Sequence, residues 1–414
     1  MSSTQNLHLK NVVFQGAHNA QEFKELFIID GLIKFSSSAP KGEFKTIDLK
    51  GKLVFPAFVD VFAKLHCSNF NSIKNNLKHL SQSALSGGFS DVFYASSKAV
   101  DQPYVFDYLQ RLNTETDGAK LYCIPALSKD FSGQSIVSIS EFLELGANGF
   151  YDEPLNICYL KTLQRAFEQF QGSDAKIFLQ PDDYELSCNG IMNKGVESLK
   201  LGLHGRPVTA ETAYIAAVLE LMRFFRGTQV HFCNISSARS VELIERAKNE
   251  NLKVTASVNP FNLAFTEEAL NDYDPLFKLN PPLRTESDRQ ALIQGLKYGV
   301  IDFITTNHSQ QNNKNGEGFI QDAPFGSPTH ETAFSLLNQI LVNKSEMKLE
   351  KLIELLTVKP SRIANLKRNF EIKDGEPLDL AIFDPLEKWR PFPSNQSYEL
   401  TGRITLALKD GKVV

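Results

Sequence analysis

The sequence predicts an α/β protein: a (β/α)8 barrel carrying a small β domain assembled from both ends of the chain. Three observations lead there. Apolar strand candidates recur through the middle of the chain, with helical patterns between them. The first 50 and the last 35 residues have a different texture, short alternating or β-branched runs broken by turn residues. The length, 414 residues, suits one large domain plus a small one.

Taken in order, strands are expected at 7–14, 26–29, 32–36 and 46–49, punctuated by Asp30-Gly31 and Pro40-Lys41-Gly42. The middle of the chain then offers buried-strand candidates at 53–63, 89–95, 121–127, 148–152, 176–181, 229–235, 253–259 and 302–306. Residues 209–225 carry apolar side chains on one face, and Pro207-Val-Thr-Ala-Glu is a plausible helix start. Residues 238–249 mix an apolar stripe with charges. Eight strands alternating with helices favour a closed barrel over an open sheet, which usually has fewer strands. Strand patterns return at 380–383 and 402–408, with a Lys409-Asp410-Gly411 turn before the last three residues. The expected division is 1–52 and 366–414 for the two parts of the small domain, and 53–365 for the barrel.

Composition narrows the function. A net charge of −4 gives no basic field for nucleic acid or anionic lipid. No apolar run approaches the roughly 20 residues of a membrane span, and the N-terminus lacks the basic and apolar segments of a secretory signal. Cys67, Cys123, Cys158, Cys188 and Cys233 form no CxxC pair, so they read as buried free thiols in a reducing compartment. A cytoplasmic protein is expected.

In a barrel of this kind chemistry sits at the C-terminal ends of the strands. Those ends carry Lys64 and His66, Ser96 and Ser97, Asp152 and Glu153, Asp182 and Asp183, Asn234, Asn259 and Asn262, and Asn307 and His308. Of the eight histidines only His66, His308 and His330 are expected near the mouth, and no two histidines fall at metal-ligand spacing. Composition and spacing alone therefore make a binuclear zinc site improbable.

The blocks Ser236-Ser-Ala-Arg-Ser-Val-Glu-Leu-Ile-Glu, Leu279-Asn-Pro-Pro-Leu-Arg-Thr-Glu-Ser-Asp-Arg and Ala323-Pro-Phe-Gly, in that order, resemble the signature blocks of dihydroorotases. Gly205-Arg-Pro-Val-Thr-Ala-Glu and Asp379-Leu-Ala-Ile-Phe-Asp-Pro are similar as well. The likeness runs from about residue 45 to the end, in the long form shared with allantoinases and hydantoinases. It implies a TIM barrel with a β-sandwich built from both termini. It also implies zinc, and here the chain departs from the pattern. The family's first two ligand histidines fall on Phe62 and Lys64, and its acidic ligand on Asp152 or Glu153. Two further ligand histidines fall on Gln180 and Asn234, and the aspartate that shuttles the proton falls on Asn307, with His308 kept beside it. Of the substrate-binding positions, Asn280 is kept, while an arginine is replaced by His66 and an asparagine by Ser96.

Those replacements set the functional expectation. Opening a cyclic amide with water needs an activated nucleophile, and zinc supplies one by lowering the pKa of bound water from 15.7 to about 7. An amide at Asn307 cannot take and return a proton. No cofactor is therefore expected, and Lys64 is expected to stand in for metal charge beside Asp152 or Glu153. The resemblance implies a non-catalytic partner of aspartate carbamoyltransferase in pyrimidine biosynthesis; self-association is also open. The alternative is a working dihydroorotase or other cyclic amidohydrolase whose metal site is rebuilt from Asp152, Glu153, Asp182 and His308. Asn280-Pro281-Pro282 fits a rigid turn as well as a site, and Arg284 with Asp288 fits helix-start pairing at least as well as substrate binding. The polar run 310–318 reads as a loop.

Overall fold

The computed structural model describes residues 6–35, 40, 42–67, 72–153, 160–309, 319–391 and 399–413. The run at 310–318 and Cys158 lie outside them. Both chain ends meet in one eight-stranded sheet. Leu7–Gln15 pairs antiparallel with Ala20–Ile29, while Leu380–Trp389 pairs antiparallel with Leu53–Pro56 and with Leu400–Lys409. The sheet packs over an apolar core of its own that includes Leu7, Leu9, Leu26, Leu380 and Leu408. The expected strand at 53–63 is in fact two. Leu53–Pro56 belongs to the terminal sheet, and Ala57 donates its N–H to the Asp379 carbonyl at 2.8 Å before the first barrel strand begins at Phe58.

Eight parallel strands follow: Phe58–Leu65, Phe89–Ser96, Lys120–Ile124, Gly149–Asp152, Lys176–Leu179, Gln229–Phe232, Val254–Val258 and Phe303–Ile304. The first three pair in order, and the last five pair in order. Two parallel bridges join the arcs. Ala126 meets Tyr151 between the third and fourth strands, and Lys64 meets Ser309 between the first and eighth. The Lys64 N–H donates to the His308 carbonyl at 2.7 Å, which closes the ring. Closure leaves no sheet edge, and both faces of each strand are covered, which explains the near-continuous apolar strand sequences. Inside, Val59, Val61, Phe62, Phe93, Tyr151, Phe178 and Phe303 fill the barrel. Outside, helices such as Ile73–Ser86, Val208–Phe224 and Ala238–Asn249 cover it.

The interior also holds His231, whose ring nitrogens bond the Thr255 hydroxyl at 2.9 Å and the Ser257 hydroxyl at 3.0 Å, with its face stacked on Phe303. Burial pushes its pKa down to about 3. The same cause holds His330 near 3 and His308 well below the usual imidazole range. All three stay neutral in the fold, while the unfolded chain takes up their protons below about pH 6.5. Their contribution is therefore complete above that pH and is lost as pH falls. Carboxylates act in the opposite sense: burial raises Asp60 and Asp182 to about 6 and pushes Asp302 up as well, so their contribution declines as pH rises above the usual carboxylate range. The imidazole share of the unfolding free energy is expected to fall between pH 6.5 and about pH 4. His231→Gln should flatten that slope in denaturant titrations; an unchanged slope would refute the assignment.

Among the described residues the thiols are free, but Cys188 is exposed, contrary to the expectation that all are buried. It caps the four-residue helix Tyr184–Ser187 in a left-handed conformation on the outside of a loop.

Candidate functional site at the barrel mouth

The mouth is built from the strand ends upward. At the end of the first strand Phe62 is fully buried and packs on the Tyr151 ring, centroids 5.1 Å apart. An apolar ring buried this way stabilises by about 1.5–3 kcal/mol. Two residues on, Lys64 donates to both carboxylate oxygens of Glu153 at 3.3 and 3.1 Å, and its ammonium lies 5.7 Å over the Tyr151 ring. Of the two carboxylates offered by the sequence, Lys64 thus pairs with Glu153, while Asp152 lies buried at the end of the fourth strand.

A second group forms around Asn280. Its carbonyl accepts from the Gln180 amide at 3.0 Å and from the Asn307 amide at 2.9 Å. Its side-chain oxygen accepts from Arg206 at 2.7 Å. The same guanidinium pairs with Asp182 at 3.2 Å and lies over the Phe325 ring. Asn234 turns elsewhere, its Oδ1 accepting from the Thr305 hydroxyl at 2.7 Å. Asn234 and Asn307 both have positive φ, 58° and 48°, where the strands end, and asparagine tolerates that region better than most side chains.

The remaining candidates do not converge with these. His66 Nε2 lies 2.7 Å from the Ser309 hydroxyl, and the Ser96 hydroxyl accepts from the Lys98 N–H at 3.3 Å. His308 and His330, expected near the mouth, are stacked and fully buried, with ring centroids 3.9 Å apart and His330 against Phe89 of the outer core. His308 Nδ1 accepts from the Thr329 and His330 N–H groups, each at 3.2 Å. His330 faces Asp60 at 3.0 Å, and Asp60 also accepts from Thr306 and from the Phe62 N–H. These imidazoles brace the seam between the first and eighth strands.

That arrangement does not fit zinc. Phe62 has no lone pair, Lys64 brings a positive charge, and the amides of Gln180, Asn234 and Asn307 are engaged with protein groups. The alternative set of Asp152, Glu153, Asp182 and His308 is not assembled either, because Asp182 is paired with Arg206, Glu153 with Lys64, and His308 is turned into the seam. Among the described residues no three His, Cys, Asp or Glu side chains converge as metal ligands.

Lys64 and Glu153 are mostly buried, with side chains 17% and 30% exposed. Lys64→Met strands the carboxylate and should lower stability by about 1–2 kcal/mol. A melting temperature lower by a few degrees is expected, and no change would sink the idea that Lys64 holds this carboxylate in place.

Residues outside the family's ligand positions complete the mouth. Arg284 is fully engaged, but not with Asp288 as expected. It donates to Asn193 Oδ1 and the Arg206 carbonyl, each at 2.8 Å, and to the Ser236 hydroxyl at 3.1 Å, and it faces Glu211 at 3.8 Å. Glu211 in turn accepts from the N–H groups of Ser236 and Ser237. Asp288 caps its own helix with Thr285. Glu211, Ser236 and Arg284 come from three separate sequence blocks, so those blocks meet at one buried ion pair.

Comparison with known proteins agrees with this architecture. Residues 194–414 match the model of the amidohydrolase family. A dihydroorotase of Listeria monocytogenes is 32% identical over 385 residues, 92% of this chain and 89% of that protein. One of Thermoanaerobacter sp. is 31% identical over 384 residues, covering 92% and 88%. Among solved structures, dihydropyrimidinase from Brevibacillus agri matches with a TM-score of 0.79 at 15% identity, over 99% of this chain and 95% of that one. L-Hydantoinase from Arthrobacter aurescens gives 0.78 at 20% identity, over 99% and 95%. The structural matches share the fold, a barrel with a terminal β-sandwich, and the sequence matches go further: this chain belongs to the amidohydrolase family, beside the dihydroorotases.

Proposed function

We propose that this chain is a dihydroorotase-family protein of pyrimidine biosynthesis that has given up hydrolysis and acts as a structural partner of aspartate carbamoyltransferase in the cytoplasm. One observation carries the reading. The polar side chains at most positions where the family holds zinc have protein partners: Lys64 pairs with Glu153, Gln180 and Asn307 donate to the Asn280 carbonyl, and Asn234 Oδ1 accepts from Thr305, while Asn234 Nδ2 is buried without a partner. Buried polar groups left behind by a departed metal would cost several kcal/mol each unless paired. Here Lys64, Gln180 and Asn307 are paired, and Asn280, the retained substrate-binding position, has its side-chain oxygen engaged by Arg206. No helix among the described residues is long and apolar enough to cross a membrane.

Metal analysis of protein purified from zinc-supplemented medium is the first test. Near-zero stoichiometry is expected, together with co-purification of the transferase from native lysate. One tightly held zinc per chain would overturn the reading in favour of a hydrolase with a rebuilt site. Recovery of the chain without the transferase would remove the assembly role.

A further inference from the structure

We infer that the loop after the fifth barrel strand is a protein-docking surface, shaped for a partner face with an apolar centre and a lysine- and arginine-rich border. The loop carries two short helices, Tyr184–Ser187 and Val196–Leu201, and each turns large apolar side chains outward. In the first, Ser187 is buried while Tyr184 and Leu186 are exposed. In the second, Ser198 is buried, while Val196 and Leu199 are 66% and 83% exposed. A surface helix ordinarily turns its apolar side chains to the core, as Leu201 does here, but Tyr184, Leu186, Val196 and Leu199 do not.

The outward side chains are not surplus from a missing core. The loop has its own buried core, in which Ile191, Met192 and Leu203 pack with Phe277 from the loop after the seventh strand. Tyr273, itself 44% exposed, donates its hydroxyl to the Leu201 carbonyl at 2.9 Å and extends the apolar face onto that second loop. Such a grouping on a folded surface marks a contact site.

Charge selects the occupant. Glu185, Glu268 and Asp272 stand exposed around the patch, and of the two nearby lysines Lys200 is already paired with Glu197 at 2.6 Å. A second copy meeting this face by two-fold symmetry would set acid against acid, and an anionic lipid surface would be repelled. A basic border on a protein partner is complementary.

The proposal rests on the assembly reading, so purified aspartate carbamoyltransferase from the same cell is the probe, measured by surface plasmon resonance against the full chain. The wild-type chain should bind with an affinity that falls as salt rises, and Leu199→Asp should weaken binding roughly tenfold or more. Leu199 is so exposed that the variant should keep its melting temperature. Tyr298→Asp, on an exposed aromatic of a different helix, should bind like wild type. Equal binding by wild type and Leu199→Asp would overturn the docking surface while leaving the assembly reading intact. Absence of any complex would overturn both. A concentration-dependent dimer of this chain that Leu199→Asp abolishes would make the occupant a second copy and reject the basic partner.

Discussion

Arg284→Ala is expected to destabilise the protein by about 3–5 kcal/mol, the cost of breaking a buried ion pair from one side. The side chains of Arg284 and Glu211 are 2% and 3% exposed. Deleting the guanidinium removes hydrogen bonds to Asn193, Ser236 and the Arg206 carbonyl in one step. It also leaves Glu211 with hydroxyl and N–H donors but no ion-paired cation. Burial pushes the Arg284 pKa down and Glu211 pushes it back up, as expected for a charge held in a dry site by its partner. Arg284→Lys should recover little, because a single ammonium cannot reach three separate acceptors in a fixed fork. Arg223→Ala is the control: that side chain pairs with Glu220 and Glu250 at the surface and should cost less than about 1 kcal/mol. The readout is the denaturant midpoint at constant slope. A loss for Arg284→Ala no larger than the control would mean that this pair does not hold the three sequence blocks together.

That pair also shows what the sequence made legible. The blocks containing Glu211, Ser236 and Arg284 pointed to the family, yet the geometry gives them a structural task at the mouth. Reading from the sequence alone, Arg284 with Asp288 looked like helix-start pairing because the two are near in sequence; the actual partner is 73 positions away. Long-range ion pairs leave no local periodicity to detect. The barrel strands were legible because burial on both faces produces continuous apolar runs. The break at Ala57 was not, since Leu53–Pro56 and Phe58–Leu65 are equally apolar and differ only in which sheet they join. The direction His308 and His330 take was not legible either. Proximity to a strand end does not say which face of the barrel His308 takes, and His330 lies well beyond the last barrel strand with no local pattern to orient it; both turn into the seam. Arg206 lay within a quoted block, but nothing local signals that its guanidinium reaches Asp182 and Asn280.

The second large effect concerns turnover. The chain supplied with zinc is expected to open dihydroorotate at the uncatalysed rate, below a working hydrolase by a factor on the order of 10⁶ or more. Asn307→Asp, which restores a carboxylate where the family shuttles its proton, should not change this. A base without a polarised water has little to act on. The new carboxylate would also lose the amide donor that Asn307 now gives the Asn280 carbonyl. Restoring the first two ligand positions, Phe62→His with Lys64→His, should likewise fail. Gln180 and Asn234 still contribute amides, and removing Lys64 strands Glu153. Only simultaneous replacement at all five positions, Phe62, Lys64, Gln180, Asn234 and Asn307, gives zinc a donor set of the kind a hydrolase uses. Arg206 would still hold Asn280, so the five-fold variant should bind metal before it gains turnover. Metal analysis separates those two gains, and a coupled assay for carbamoyl aspartate reads the second. Turnover by the wild-type chain or by Asn307→Asp alone would show that the mouth keeps a working nucleophile, and the loss-of-hydrolysis reading would fall.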